Sequence, residues 1–150
     1  GKAYYLLVQR GQEPNQGRWS FPGGKLELGE TALQGGKREL AEETKFLDHP
    51  QLLELQWHPD TIATQDSILV DQDGTTHYHF LIAICFAQVV HNHHGSGSSI
   101  IQSLPNVLPA DDAADAKWWN VQELMGVDIT PGLVERIHRT EYLYQQGVLN

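Results

Sequence analysis

Three glutamates, Glu39, Glu42 and Glu43, fall at i, i+3 and i+4 of a segment that reads as a helix, and this is what most constrains the chain. Thr31-x-x-Gln34 has the form of a capping box, and Leu33, Gly36, Leu40 and Thr44 recur as one buried stripe. Like charges at that spacing cost a helix roughly 0.2–0.5 kcal/mol per pair. Gly35 and Gly36 each cost about 1 kcal/mol more relative to alanine. Local stability therefore does not account for the segment. A hard cation such as Mg2+ takes carboxylate and backbone oxygens and bridges to substrate phosphates, so a carboxylate cluster beside the glycine-rich turn Gly23-Gly24 suits it. The alternative for three such glutamates taken alone is a solvated acidic face.

The wider string is more specific. It resembles the box of the Nudix hydrolases, G-x5-E-x7-R-E-U-x-E-E-x-G-U, where U is a bulky apolar residue. Gly24, Glu30, Arg38, Glu39, Leu40, Glu42, Glu43 and Phe46 all fall on it, and Trp19-Ser20-Phe21-Pro22-Gly23-Gly24 resembles the loop that leads into it. The one departure is Lys45, where the pattern has a glycine that usually supplies a left-handed helix cap. The resemblance implies an α/β/α sandwich with a mixed sheet between helices and a Mg2+-dependent enzyme, Mn2+ being able to substitute. It also implies roles for individual residues. Glu42 and Glu43 become the principal metal ligands, joined by the Gly24 carbonyl. Glu39 becomes the base or a further ligand, Arg38 orients the glutamates, and Glu30 supports the loop.

Composition bounds the rest. The 150 residues fit one domain over 1–150, 40% apolar, with no apolar run of membrane-spanning length. The lone cysteine, Cys85, sits in Leu81-Ile82-Ala83-Ile84-Cys85-Phe86-Ala87 and reads as a buried core thiol, which fits a reducing, cytoplasmic setting. The chain opens Gly1-Lys2 and enters a strand almost at once, so a targeting peptide ahead of it is left open. A net charge of −9 argues against a nucleic-acid polymer as partner, which would need a basic stripe. A small phosphorylated substrate remains compatible, because a bound cation inverts the local charge logic. Arg10, Arg18 and Lys25 flank the glycine loop, either to contact phosphate or as ordinary surface cations.

Along the chain, Ala3 to Gln9 reads as a strand and Gly11 to Gly17 as a turn. Leu52 to Ala63 is mixed, apolar and β-branched, and interrupted at Pro59. Asp71-Gln72-Asp73-Gly74 predicts a hairpin turn before a long strand, Thr76 to Val90. His91 to Ser99 reads as a polar loop, Lys117 to Val121 as a short strand, and Pro131 to Gln146 as a helix with Leu133, Val134, Ile137 and Tyr144 spaced for burial. His77 and His79 share a strand face, but no third ligand lies at a diagnostic distance, so they read as surface or pocket residues. Of the tryptophans, Trp118 reads as core, while Trp57 is open to a role in base stacking.

Three functions fit these observations. The first is hydrolysis of a small-molecule nucleoside diphosphate derivative. The second is a non-catalytic nucleotide or ADP-ribose sensor on the same fold, and the third an isomerase or other magnesium enzyme. In the family, a proline about 15 residues beyond the box goes with ADP-ribose and a tyrosine there with dinucleoside polyphosphates. Here Thr61 holds that position, Pro59 is two residues short and no tyrosine is near, which leans slightly to ADP-ribose. Gly23, Arg10, Lys25 and Trp57 complete the expected substrate contacts. Pro109 to Asp115 is the loop expected to supply a carboxylate from the far side, with Asp112 first, Asp111 second and Glu54 next. Homodimerisation is left open.

Overall fold

A computed structural model describes residues 2–46, 53–91 and 104–149. The strand expected near the N-terminus is β1, Tyr5–Arg10, and it lies between the short β2, Trp19–Ser20, and β7, Ala113–Trp119, antiparallel to both. Because successive side chains leave a strand on opposite faces, the Trp118-Trp119 pair serves two layers. Trp119 meets Trp19 edge-on at 5.0 Å and joins Leu7, Leu124, Leu133 and Ile137 in the core beneath α2, Leu133–Gln145. Trp118 faces the other way, against Phe46 just beyond α1, Ala32–Thr44. The sheet is thus covered by a helix on each side, which is the α/β/α arrangement expected.

Four further strands form two antiparallel ladders. β3, Leu53–Trp57, pairs with β6, Ala87–His91, and β4, Ala63–Val70, pairs with β5, Thr76–Ile84. The β4–β5 turn is the predicted one. Asp71 Oδ1 accepts from the amides of Asp73 and Thr75, and Gly74 adopts φ 80°. Those amide bonds, Thr75 foremost, and His77 hold the Asp71 carboxyl below its ordinary range.

Several boundaries differ from the sequence reading. The long strand Thr76 to Val90 is two strands, because the chain leaves one ladder for the other at Cys85-Phe86. His58 N–H donates to Phe86 O and Ile62 N–H to Ile84 O across this break. Cys85 is half-buried rather than core, its Sγ 3.7 Å from Ala32 O on α1. Trp118 is also only half-buried, with Nε1 donating to Pro105 O at 2.8 Å; its neighbour Trp119 is the buried member of the pair. The strand read over Lys117 to Val121 starts earlier, at Ala113, and Val121 opens a one-turn 3-10 helix capped by Asn120. On α2, Leu133 and Ile137 are buried as expected, whereas Tyr144 is 47% exposed. Among the described residues the strand ladders are antiparallel, and the one parallel pairing is the bridge Trp19 to Ile129. Most of the polar loop His91 to Ser99 lies outside the described residues.

Candidate active site

Helix α1 starts where the capping box placed it. Thr31 Oγ1 accepts from Gln34 N–H, and Gln34 Oε1 accepts from Thr31 N–H. Two turns on, Arg38 resolves the repulsion among the glutamates. Its Nε and Nη2 donate to Glu30 at 2.7 and 3.0 Å, and its Nη1 donates to Glu39 at 2.9 Å and Glu42 at 3.1 Å. Nη2 also donates to the Lys25 carbonyl at 3.0 Å, tying the glycine loop to the helix. Glu30 closes the other side by accepting from Glu27 N–H. These bonds, that to Arg38 foremost, hold the Glu30 carboxyl below its usual range, and the bonds to Glu30 first and Glu39 next raise the Arg38 pKa. A planar guanidinium donates along several directions at once, which a lysine ammonium in its place would not reproduce.

Glu43 points into the body and is 6% exposed, with Oε2 accepting from Gly23 N–H at 3.0 Å. Burial pushes its carboxyl up to about 7; the Gly23 bond opposes that, and the nearby Glu39 charge adds to it. Gly24 is needed where it stands, since a Cβ there would fall on the Glu39 carboxylate. Main-chain bonds then join a second element to the end of α1. The Glu43 and Thr44 carbonyls accept from Ala110 and Leu108 N–H, and Gly11 N–H donates to Asp112 O. Between these anchors Asp111 adopts φ 54°, and its carboxylate comes within 4.8 Å of those of Glu39 and Glu42. Three carboxylates that converge from a helix and a loop, with a fourth buried beside them, are a donor set of the type Mg2+ takes. The residues present fit a hard divalent cation.

The structure brings Arg38, Glu39, Glu42, Glu43, Gly23 and Gly24 together where α1 meets the glycine loop. Arg10, Lys25 and Trp57 line the same cleft. Arg10 donates to Pro14 O, and its charge reaches Glu43. Trp57 is half-buried, packed near Gly36 and under Lys37 Nζ at 5.8 Å. Arg18 lines the cleft too and pairs with Asp128 at 3.2 Å. The loop carboxylate needs correction. Asp112 accepts from Gln12 Nε2 and it is Asp111 that joins the cluster, because the left-handed turn at Asp111 swings that side chain toward the helix. Glu27, 3.6 Å from Arg38 Nε, was missed; nothing in its spacing marks it. Glu54 is an exposed residue of β3. His77 and His79 pair with Asp71 and Asp66, and among the described residues no histidine joins a metal-type cluster. His93 and His94 lie outside the described residues.

A sheet flanked by two helices, with a glutamate helix facing a glycine loop, is the arrangement of a Nudix domain. The NUDIX domain profile matches residues 1–139, and the chain belongs to that family. Among solved structures it is similar to the NUDIX domain of Shewanella oneidensis NrtR complexed with ADP ribose, at 20% identity and TM-score 0.60, over 94% of this chain and 77% of that one. It is also similar to a C. elegans Ap4A hydrolase, at 16% identity and TM-score 0.57, over 97% and 90%. A third is a bifunctional NMN adenylyltransferase/ADP ribose pyrophosphatase from Francisella tularensis complexed with AMP and a manganese ion, at 23% identity and TM-score 0.50; the alignment spans 95% of this chain and 38% of that one. No curated protein sequence matches.

Proposed function

We propose that this chain, acting as one domain, is a Mg2+-dependent hydrolase that cleaves the diphosphate of a nucleoside diphosphate linked to another group, with ADP-ribose favoured. The observation that carries the reading is the convergence of Glu39, Glu42 and Asp111 beside the buried Glu43. Neighbours crystallised with ADP ribose, or with AMP and manganese, support the substrate class and the divalent cation. Glu42, Glu43 and the Gly24 carbonyl are the proposed ligands, with Asp111 in the role first given to Asp112. When bound, the cation neutralises diphosphate oxygens and makes a water a better nucleophile. Glu39, held by Arg38 and only 13% exposed, is positioned to take the proton of that water. Arg38 fixes Glu39 and Glu42, Gly23 N–H holds Glu43, and Gly24 lets the loop approach Glu39.

A sensor has no use for a set of carboxylates that need a dedicated arginine to stay together. The partner is a small molecule rather than a nucleic-acid polymer, in keeping with the net charge of −9. No helix among the described residues is long and apolar enough to cross a membrane, and a cytoplasmic site is proposed from the lone cysteine. The test is a phosphate-release screen of nucleoside diphosphate derivatives with and without Mg2+. Metal-dependent turnover that falls about 10²-fold or more in Glu42→Gln, and in Asp111→Asn with the Michaelis constant little changed, supports the reading. Rates within about threefold of the unsubstituted protein for both variants would sink it.

A further inference from the structure

The hairpin β4–β5 carries an aromatic wall that the hydrolytic site does not use. Tyr78 and Phe80 lie two residues apart and so on one face of β5, their rings stacked with centroids 5.1 Å apart and planes 30° from parallel. Their cross-strand partners are Leu69 and Ser67, and the next pair on that face is Ile82 with Gln65. Gln65 Nε2 donates to Pro131 O, so this face is turned toward the body of the molecule. The outward face carries His79, which bonds Asp66. Phe80 nevertheless remains 43% exposed, although its side lines the same cleft as Arg38, Glu39 and Glu42. That cleft measures about 2320 Å3, more than the roughly 300–1,000 Å3 of ordinary ligand pockets, so its size selects nothing and its walls must.

One residue spans the two walls. Lys25 gives its carbonyl to Arg38, and its Nζ stands 6.0 Å from the centroid of the Phe80 ring. From the glutamate helix outward the cleft therefore presents carboxylates, then an ammonium, then a stacked aromatic pair of which Phe80 is the exposed member. A nucleoside diphosphate derivative matches that order: metal-bound phosphate oxygens against the carboxylates, the phosphate nearer the nucleoside against the ammonium, and a flat base against the aromatic pair. We infer that the Tyr78–Phe80 face holds the nucleobase of the substrate, with Lys25 on the phosphate nearer the nucleoside. This rests on the diphosphate-hydrolase reading above and adds the element that would make a nucleoside the preferred group. Trp57, the residue the sequence offered for stacking, lines the same cleft beside Gly36 of α1.

Stacking on aromatic side chains changes affinity by roughly five- to a hundredfold per base. Binding of AMP and of ribose 5-phosphate, measured by calorimetry, isolates this contribution without any need for turnover. The unsubstituted protein should bind AMP about tenfold or more tightly than ribose 5-phosphate. Tyr78→Leu/Phe80→Leu, which keeps apolar bulk but removes both rings, should abolish that preference. Phe80→Trp should keep it, and His79→Ala on the outward face should leave it unchanged. Equal binding of the two ligands by the unsubstituted protein, no AMP binding, or a preference that survives in the double variant would each overturn the assignment. If the face is instead covered by a second copy of the chain, sedimentation would show a dimer that the double variant loses while the AMP preference persists, and that also overturns it. Absence of turnover with the base preference intact would count against the hydrolase reading alone.

Discussion

Arg38 and Glu43 occupy opposite ends of one electrostatic problem. Arg38 satisfies Glu30, Glu39 and Glu42 at the surface, whereas Glu43 is buried with the Gly23 amide as its hydrogen-bond donor. In metal-free protein the Glu43 carboxyl titrates near 7, above its ordinary 4.5, so the folded state holds the proton through that window. The resulting stability is full below the unfolded value and is lost as pH rises through about 7. In EDTA, Tm should therefore be lower at pH 8 than at pH 6, and Glu43→Gln should raise Tm at pH 8 and flatten the profile. A slope that persists in the variant belongs to another group. Gly24 gives a second prediction. Because a Cβ there meets the movable end of Glu39 rather than backbone, Gly24→Ala should keep Tm nearly unchanged while turnover falls about 10²-fold, the scale of an ångström-sized displacement of a catalytic group. A large Tm loss with normal turnover of the folded fraction would contradict it. The glutamates were legible because their spacing is a property of sequence alone; Asp111 over Asp112 was not, because one left-handed φ decides between adjacent aspartates.

At the scale of elements, α1 ends in the left-handed conformation the box pattern reserves for glycine. Lys45 adopts φ 53°, ψ 25°, and its N–H donates to Ala41 O at 3.1 Å. Replacing Lys45 by glycine should stabilise the protein by up to about 1 kcal/mol in urea denaturation, since the Cβ penalty disappears while the bond remains. A clear loss would show that the lysine side chain contributes what the exposed position does not suggest. The start of α1 was readable because a capping box is local chemistry, whereas its left-handed end at Lys45 was signalled only by the glycine of the family pattern. The division of Thr76 to Val90 into β5 and β6 was not. Ala83-Ile84-Cys85-Phe86-Ala87 is apolar throughout, and only the tertiary partners of Ile84 and Phe86 mark the break.

Across the whole molecule, the sheet β2-β1-β7 joins residues more than a hundred positions apart, an order that no local pattern encodes. Its α2 side is the described core, where Leu7 and Ile137 have no exposed surface. Ile137→Ala should therefore cost about 2–5 kcal/mol, with turnover per folded molecule unchanged, because the glutamates lie on the opposite side of the sheet. Leu81→Ser, at a 70% exposed position of β5, should change stability by no more than about 0.5 kcal/mol. Urea midpoints of the two variants check the contrast. The sequence anticipated both helices and the sandwich from periodicity and the family resemblance; the division of the described strands into three separate sheets follows from pairings it does not display.

The loop that brings Asp111 to the glutamates is fastened by main-chain atoms at Leu108, Ala110 and Gly11, and these are indifferent to most side chains. Positions 108 and 110 can therefore drift freely among residues that keep an N–H, with proline the one exclusion. Position 11 cannot drift, since a Cβ there would come within 2.6 Å of the Asp112 carbonyl. Among relatives of this chain, then, the alignment of the acidic pocket should survive where the loop sequence is unrecognisable, and a glycine a hundred residues away should be the better marker of it than any residue beside the aspartate.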